Sequence, residues 1–262
     1  AACSAATEAA FDCSEGDDSG NFLNALSGPI TAVFDVAAAA KPPRDTKAIA
    51  REFIEEFEKK LAGHEKPPGI PTGILEVDRM LKGLQPQQVG IISARSGGGK
   101  STMATQIAAA LVDQGIPTLY LILERTETSA FQRCVIQLSR LPYAAITDPK
   151  AYAELSGRSH PSKEELISIR RATEKLSSNG LHIRKPSNRR LATQLAEIRR
   201  YHRLHGIKVA IVDQVGLVRG ERVKGDSGEA ELRGISNSFQ ELTHELGISL
   251  ILLSQENAEG AA

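Results

Sequence analysis

Only three of the 262 residues are cysteines, Cys3, Cys13 and Cys134. They are odd in number, widely spaced and never in a CxxC pair, so neither a disulfide framework nor a structural zinc site is expected. No apolar run approaches the roughly 18–20 residues that span a bilayer. The amino end also lacks the basic region followed by an apolar stretch that marks an export signal. These absences lead us to expect a soluble, cytoplasmic protein with no membrane partner. There is no internal repeat, and the first 40 residues hold no lysine or arginine. Against these gaps stand 41% hydrophobic and 24% charged residues, ordinary values for a folded protein. The length suits one large domain with an appendage.

The net charge of zero hides a polarised chain. Residues 1–40 carry six acids and no base, giving −6, whereas residues 170–208 carry eleven bases against Glu174 and Glu197, giving +9. A basic stretch of that kind marks either a polyanion-binding face or solvated helix faces.

Residues 1–45 are rich in Ala, Ser, Gly and Asp and read as a loosely structured acidic extension. Over 46–62 the residues Ile49, Phe53, Phe57 and Leu61 recur every fourth position, the stripe of an amphipathic helix. Pro67 and Pro68 follow and set a boundary at 66/67 between this linker helix and a domain over 67–262. Strand and helix patterns then alternate, which implies a parallel sheet covered by helices. Strands are expected at 88–94, 117–123, 181–184, 208–212 and 248–253. Helices are expected near 101–113, 129–138, from a Ser162–Glu165 capping box to Gly180, at 190–205, and along the stripe Leu232, Ile235, Phe239, Leu242, Leu246. The stretch between 138 and 162 reads as a loop.

The strongest chemical signal is Ala94-Arg95-Ser96-Gly97-Gly98-Gly99-Lys100-Ser101, set between a strand and a helix as a phosphate-binding loop requires. Glycines let backbone N–H groups wrap phosphate oxygens, and the helix amino end adds its dipole. Arg95, Ser96, Gly97, Gly98, Gly99, Lys100, Ser101 and Thr102 are therefore the candidate ATP-binding residues. Lys100 would reach the terminal phosphates, and the Ser101 hydroxyl would ligate Mg2+. Ala94 stands where the general pattern has glycine. Asp213 ends an apolar strand where a metal-holding acid belongs, and the next residue, Gln214, is no acid. Glu124, at the carboxyl end of the strand after the loop's helix, is the candidate base for the attacking water. Gln255 ends a buried strand, either to sense the γ-phosphate or to cap the strand.

Taken with Gly69-Ile70-Pro71-Thr72-Gly73, Val77-Asp78 and Gly83-Leu84-Gln85-Pro86, the ordered motifs ARSGGGKS, LILE, IVDQ and LLSQ resemble those of the DnaB-type replicative helicases over residues 67–257. That family has Ala at the first loop position. The resemblance implies an α/β, RecA-like P-loop NTPase core with a mainly parallel sheet and an N-terminal linker helix. It implies ATP and Mg2+ as cofactors, single-stranded DNA through a six-membered ring, and a primase or helicase loader as a further partner. Lys100, Glu124 and Gln255 take catalytic roles, Ser101 and Asp213 the metal. Arg219, Arg222 and Lys224 fall in a DNA-binding loop over 215–229. The strand ending at Gln255 is expected between those ending at Ala94 and Asp213. Gln214, Val215 and Gly216 replace the family's Tyr-Leu-Gln. The sequence stops before the family's arginine finger, so weak ATP hydrolysis by this chain alone is expected. Other readings are a recombinase-like or KaiC-like ATPase, and a nucleotide-binding interaction module with negligible turnover.

Overall fold

The computed structural model describes residues 45–62, 69–155, 157–220 and 228–256. The chain divides into two units, residues 1–65 and 66–262. In the first, α1 (Thr46–Leu61) carries the expected stripe, with Ile49, Phe53, Ile54, Phe57 and Leu61 exposed and the Phe53 and Phe57 rings stacked at 6.2 Å. The acidic extension over 1–44 lies outside the described residues.

The second unit opens with a short helix, α2 (Leu75–Leu81), that the apolar spacing did not announce. A β-bridge joins Ile70 to Leu84 around it. Asp78 holds the turn before α2: its Oδ1 accepts from the Thr72 N–H at 2.7 Å and from the Thr72 hydroxyl at 2.8 Å, and its Oδ2 from the Gly73 N–H at 3.1 Å. The geometry of this turn therefore rests on the Asp78 carboxylate and its bonds to Thr72 and Gly73.

Five strands follow: β1 (Val89–Ala94), β2 (Thr118–Ile122), β3 (Leu181–Arg184), β4 (Val209–Asp213) and β5 (Ser249–Gln255). All pairings are parallel, in the order β1-β5-β4-β2-β3. The strand ending at Gln255 does lie between those ending at Ala94 and Asp213. β2 and β4 are fully buried, as sheet strands covered on both faces must be, whereas β1 is an edge strand with Ile91 exposed.

Strand alternation sorts the core into two layers. Tyr120, Ile122, Val209, Ile211, Ile251 and Leu253 face α3 (Lys100–Asp113), α4 (Glu127–Ser139) and α7 (Lys163–Ser178). Leu119, Leu121, Ala210, Val212, Leu250 and Leu252 face α8 (Leu191–His205) and α9 (Gly228–Leu246). The capping box forms as expected, with Ser162 and Glu165 each accepting the other's backbone N–H at 3.2 and 2.7 Å. The stretch read as a loop instead holds two short helices, α5 (Tyr143–Thr147) and α6 (Pro149–Leu155). Each is too short for apolar periodicity to reveal it. Among the described residues no helix is long and apolar enough to cross a membrane.

Candidate functional site

The loop between β1 and α3 takes a conformation that its glycines permit. Gly97 and Gly99 have φ of 76° and 86°, values that side chains resist, and Gly99 is the residue from which α3 springs. Gly98 is required for space: a Cβ there would meet the Ala94 methyl at 2.9 Å and the Arg95 carbonyl at 3.0 Å. The methyl at position 94 is tolerated because position 98 has none.

Lys100 is buried at 8% exposure, and its Nζ donates to the carbonyls of Ala94 at 2.8 Å and Arg95 at 3.0 Å. An ammonium has three donors, so one remains for a phosphate oxygen. Arg95 therefore enters the site through its carbonyl. The loop residues 96–102 line a cleft of about 310 Å3 together with Glu124, Arg125, Arg133, Gln214 and Gln255. The structure thus gathers nearly every residue that sequence reasoning assigned to nucleotide binding and hydrolysis. Glu124 is exposed two residues past the buried end of β2, and Gln255 is placed beside Ala94 by the β1–β5 register.

Asp213 is not among the cleft-lining residues; it sits at 5% exposure at the tip of β4, and its neighbour Gln214 does line the cleft. The β2–β4 register sets Ile122 opposite Asp213, so Tyr120 lies two residues back on the same face. Its hydroxyl donates to Asp213 Oδ2 at 3.0 Å. Burial first, and then the Asp213 charge, hold the Tyr120 pKa well above its ordinary 10.0. The phenol therefore stays protonated and remains a donor.

Three residues placed at or beside the cleft are not signalled by the sequence. Tyr120 looked like one more apolar strand residue, and only strand register reveals its partner. Arg133 lies nine positions beyond Glu124 on α4 and was invisible without the helix that turns it to the cleft. Arg125 adjoins Glu124 and could have been found by asking what flanks a strand-end acid. Arg219 lies elsewhere, bridged through its backbone to Arg190. Arg222 and Lys224 lie outside the described residues.

A parallel sheet whose first strand delivers a glycine loop and buried lysine to a helix amino end, with acids at two further strand tips, defines a RecA-like P-loop NTPase core. Comparison with known proteins narrows that class. The chain belongs to the DnaB-like helicase C-terminal domain family, whose model matches residues 69–260. Replicative DNA helicase DnaB of Leifsonia xyli subsp. xyli is 28% identical over 206 residues, 78% of this chain and 42% of that protein. The Geobacillus stearothermophilus DnaB is 28% identical over 187 residues, covering 71% and 39%. The chain thus spans about two-fifths of the length of these relatives. Among solved structures, one isolated ATPase domain superposes with a TM-score of 0.66 at 20% identity, covering 80% of this chain and 72% of that one. A DnaB-like replicative helicase, solved in a study of its interactions with primase, gives 0.67 at 19% identity over 90% and 54%. Of the ATPase readings open from sequence, the family match selects the helicase type.

Proposed function

We propose that this chain is the ATP-driven motor core of a cytoplasmic replicative DNA helicase, working in a six-membered ring on single-stranded DNA with a primase or loader as partner. The observation that carries it is the cleft uniting loop 96–102, Glu124 and Gln255, with Asp213 on the adjoining strand tip. In this reading the loop N–H groups and the remaining Lys100 donor hold the phosphates of ATP. Glu124 takes a proton from the attacking water as its oxygen bonds the γ-phosphorus and the bond to the β–γ bridging oxygen breaks, releasing ADP. Arg133 offsets charge on the transferred group, and Gln255 reports its presence.

The donor set fits a hard divalent cation: the Ser101 hydroxyl and a buried carboxylate whose one side-chain hydrogen bond from a described residue, that of Tyr120, orients it. Mg2+ held there would neutralise phosphate charge.

The test is ATP hydrolysis by the purified chain with and without single-stranded DNA, beside Glu124→Gln, with sedimentation to follow assembly. DNA-stimulated turnover that falls by about 10²–10⁴ in Glu124→Gln, with ATP binding retained, supports the reading. Binding without turnover in the unaltered chain makes it a nucleotide-binding module instead.

A further inference from the structure

Two arginines line the cleft, and they enter it from different places in the fold. Arg133 sits on α4. Burial dominates the raised pKa of the Tyr120 phenol and the Arg133 charge opposes it, which puts Arg133 within electrostatic reach of the donor to Asp213. Arg125 instead follows Glu124 directly, in the bend between β2 and α4, and so stands beside the candidate base.

The surroundings of Arg125 do not offset its charge. It is exposed, and no described carboxylate forms an ion pair with it. The acid two positions on, Glu127, is engaged elsewhere, its Oε1 accepting the Lys185 N–H at 2.9 Å. Thr126 is the N-cap of α4, and its side chain accepts the Ser129 N–H at 3.2 Å. Arg125 thus lies just outside the amino end of a 13-residue helix, where the helix dipole disfavours a cation. Lys100 and Arg133, which line the same cleft, add like charge. An anion that enters the cleft turns each of these costs into attraction.

Lys100 alone cannot meet that anion's demand. Its Nζ already donates to the Ala94 and Arg95 carbonyls, which leaves one donor for phosphate. During hydrolysis the charge spreads over the three outer oxygens of the γ-phosphoryl group. A guanidinium presents parallel N–H donors that can bridge two such oxygens, which a single ammonium donor cannot.

We propose that Arg125 is a catalytic residue acting within its own chain, its guanidinium contacting the γ-phosphoryl oxygens of ATP beside Glu124. The water oxygen bonds the γ-phosphorus, its proton passes to Glu124, and the β–γ bridging oxygen leaves on ADP with the bonding pair. Arg125 neutralises the outer oxygens while this happens, a part that P-loop NTPases give to an arginine in cis or in trans. The proposal rests on the ATPase reading above and deepens it: one copy holds base and arginine together, so turnover per chain does not depend on assembly. That reverses the expectation of weak hydrolysis by the chain alone.

The experiment is steady-state ATP hydrolysis by the full chain over a range of protein concentrations, with sedimentation in parallel. Affinity for a fluorescent ADP analogue is measured with and without aluminium fluoride, which with Mg2+ mimics the phosphoryl group in transfer. Arg125→Ala is expected to lower kcat by about 10³-fold, the lower end of what such an arginine supplies, and to abolish the tightening by aluminium fluoride. Affinity for ADP alone should stay unchanged. Arg125→Lys should recover part of the rate, because charge returns without the planar fork. Circular dichroism checks that the variants fold, and the Lys variant keeps the test decisive if the Ala variant does not. Wild-type kcat and tightening in Arg125→Ala overturn the proposal and leave the ATPase reading intact. Weakened ADP affinity in step with the rate also overturns it, making Arg125 a ground-state contact. Turnover and tightening that appear only where copies assemble overturn the action within one chain. No nucleotide binding by the unaltered chain defeats the Arg125 role and the reading beneath it together.

Discussion

Replacing Tyr120 by Phe removes one oxygen atom from a closed core and tests the link between the sheet and Asp213, the acid proposed to hold Mg2+. The hydroxyl donates at 3.0 Å to an Asp213 oxygen, in a residue only 5% exposed, so water replaces it poorly. A hydrogen bond to a charged group contributes about 1.5–3 kcal/mol. For a domain of this size each kcal/mol moves the thermal midpoint by about 2–4 °C, so Tyr120→Phe should unfold roughly 3–12 °C earlier. Function gives a second magnitude, since removing a partner that orients a metal ligand typically costs about 10–100-fold in metal affinity. The Mg2+ concentration giving half-maximal ATP hydrolysis should therefore rise by about that factor, with ATP binding in the absence of Mg2+ unchanged. Because burial and the Asp213 charge keep the phenol protonated, the effect should not vary across neutral pH. A variant with the wild-type midpoint and Mg2+ dependence refutes the reasoning. A lower midpoint with unchanged Mg2+ dependence leaves the hydrogen bond but removes Asp213 from the metal site.

Arg133→Ala should lower kcat/KM for ATP by about 10–100-fold, the loss of one charged hydrogen bond of about 1.5–3 kcal/mol, and an unchanged ratio in steady-state assays would exclude it from the reaction. Gly73→Ala should destabilise by about 1–3 kcal/mol in urea, because its Cβ would collide with the Ala110 Cβ from a backbone φ of 78°. His182, stacked on His205 at 4.1 Å, has its pKa lowered from 6.5 by burial and by that neighbour. The unfolded chain therefore takes up the proton first, and this group's contribution is present above pH 6.5 and lost as pH falls below it toward the lowered folded value. Thermal midpoints of His182→Phe should depend less on pH in that range than wild type; equal slopes would count against it.

Much of the fold could be read from local pattern, because parallel strands covered on both faces must be apolar runs and long helices must show a stripe. Val209–Asp213 and the 232–246 stripe are legible for those reasons. Short helices have no room for a period, so α2, α5 and α6 escaped. α2 has its turn fixed by the side chain of Asp78, whose bonds to Thr72 and Gly73 no propensity encodes. The same division holds in the site. The loop 94–101 announces itself because phosphate chemistry demands contiguous glycines before a lysine. Tyr120 and Asp213, 93 positions apart, meet only through strand register. Sequence charge counts likewise cannot separate Arg125 and Arg133, which line the cleft, from arginines neutralised by Glu245 or Glu197.

The position of β5 sets a timetable for synthesis. Val89 pairs with Leu250, 161 positions later, and β5 is the neighbour that both β1 and β4 require. While the chain is still emerging, the phosphate loop hangs from a strand with no partner, and the acid of β4 stands a full strand away from it. Domains gain structure from the amino end as they are made, but this one cannot close the cleft lined by loop 96–102 and Gln255 until β5 has left the ribosome. A nascent chain halted before residue 249 should therefore fail to retain ATP, however complete its glycine loop. ATP capture would then report that β5 is seated.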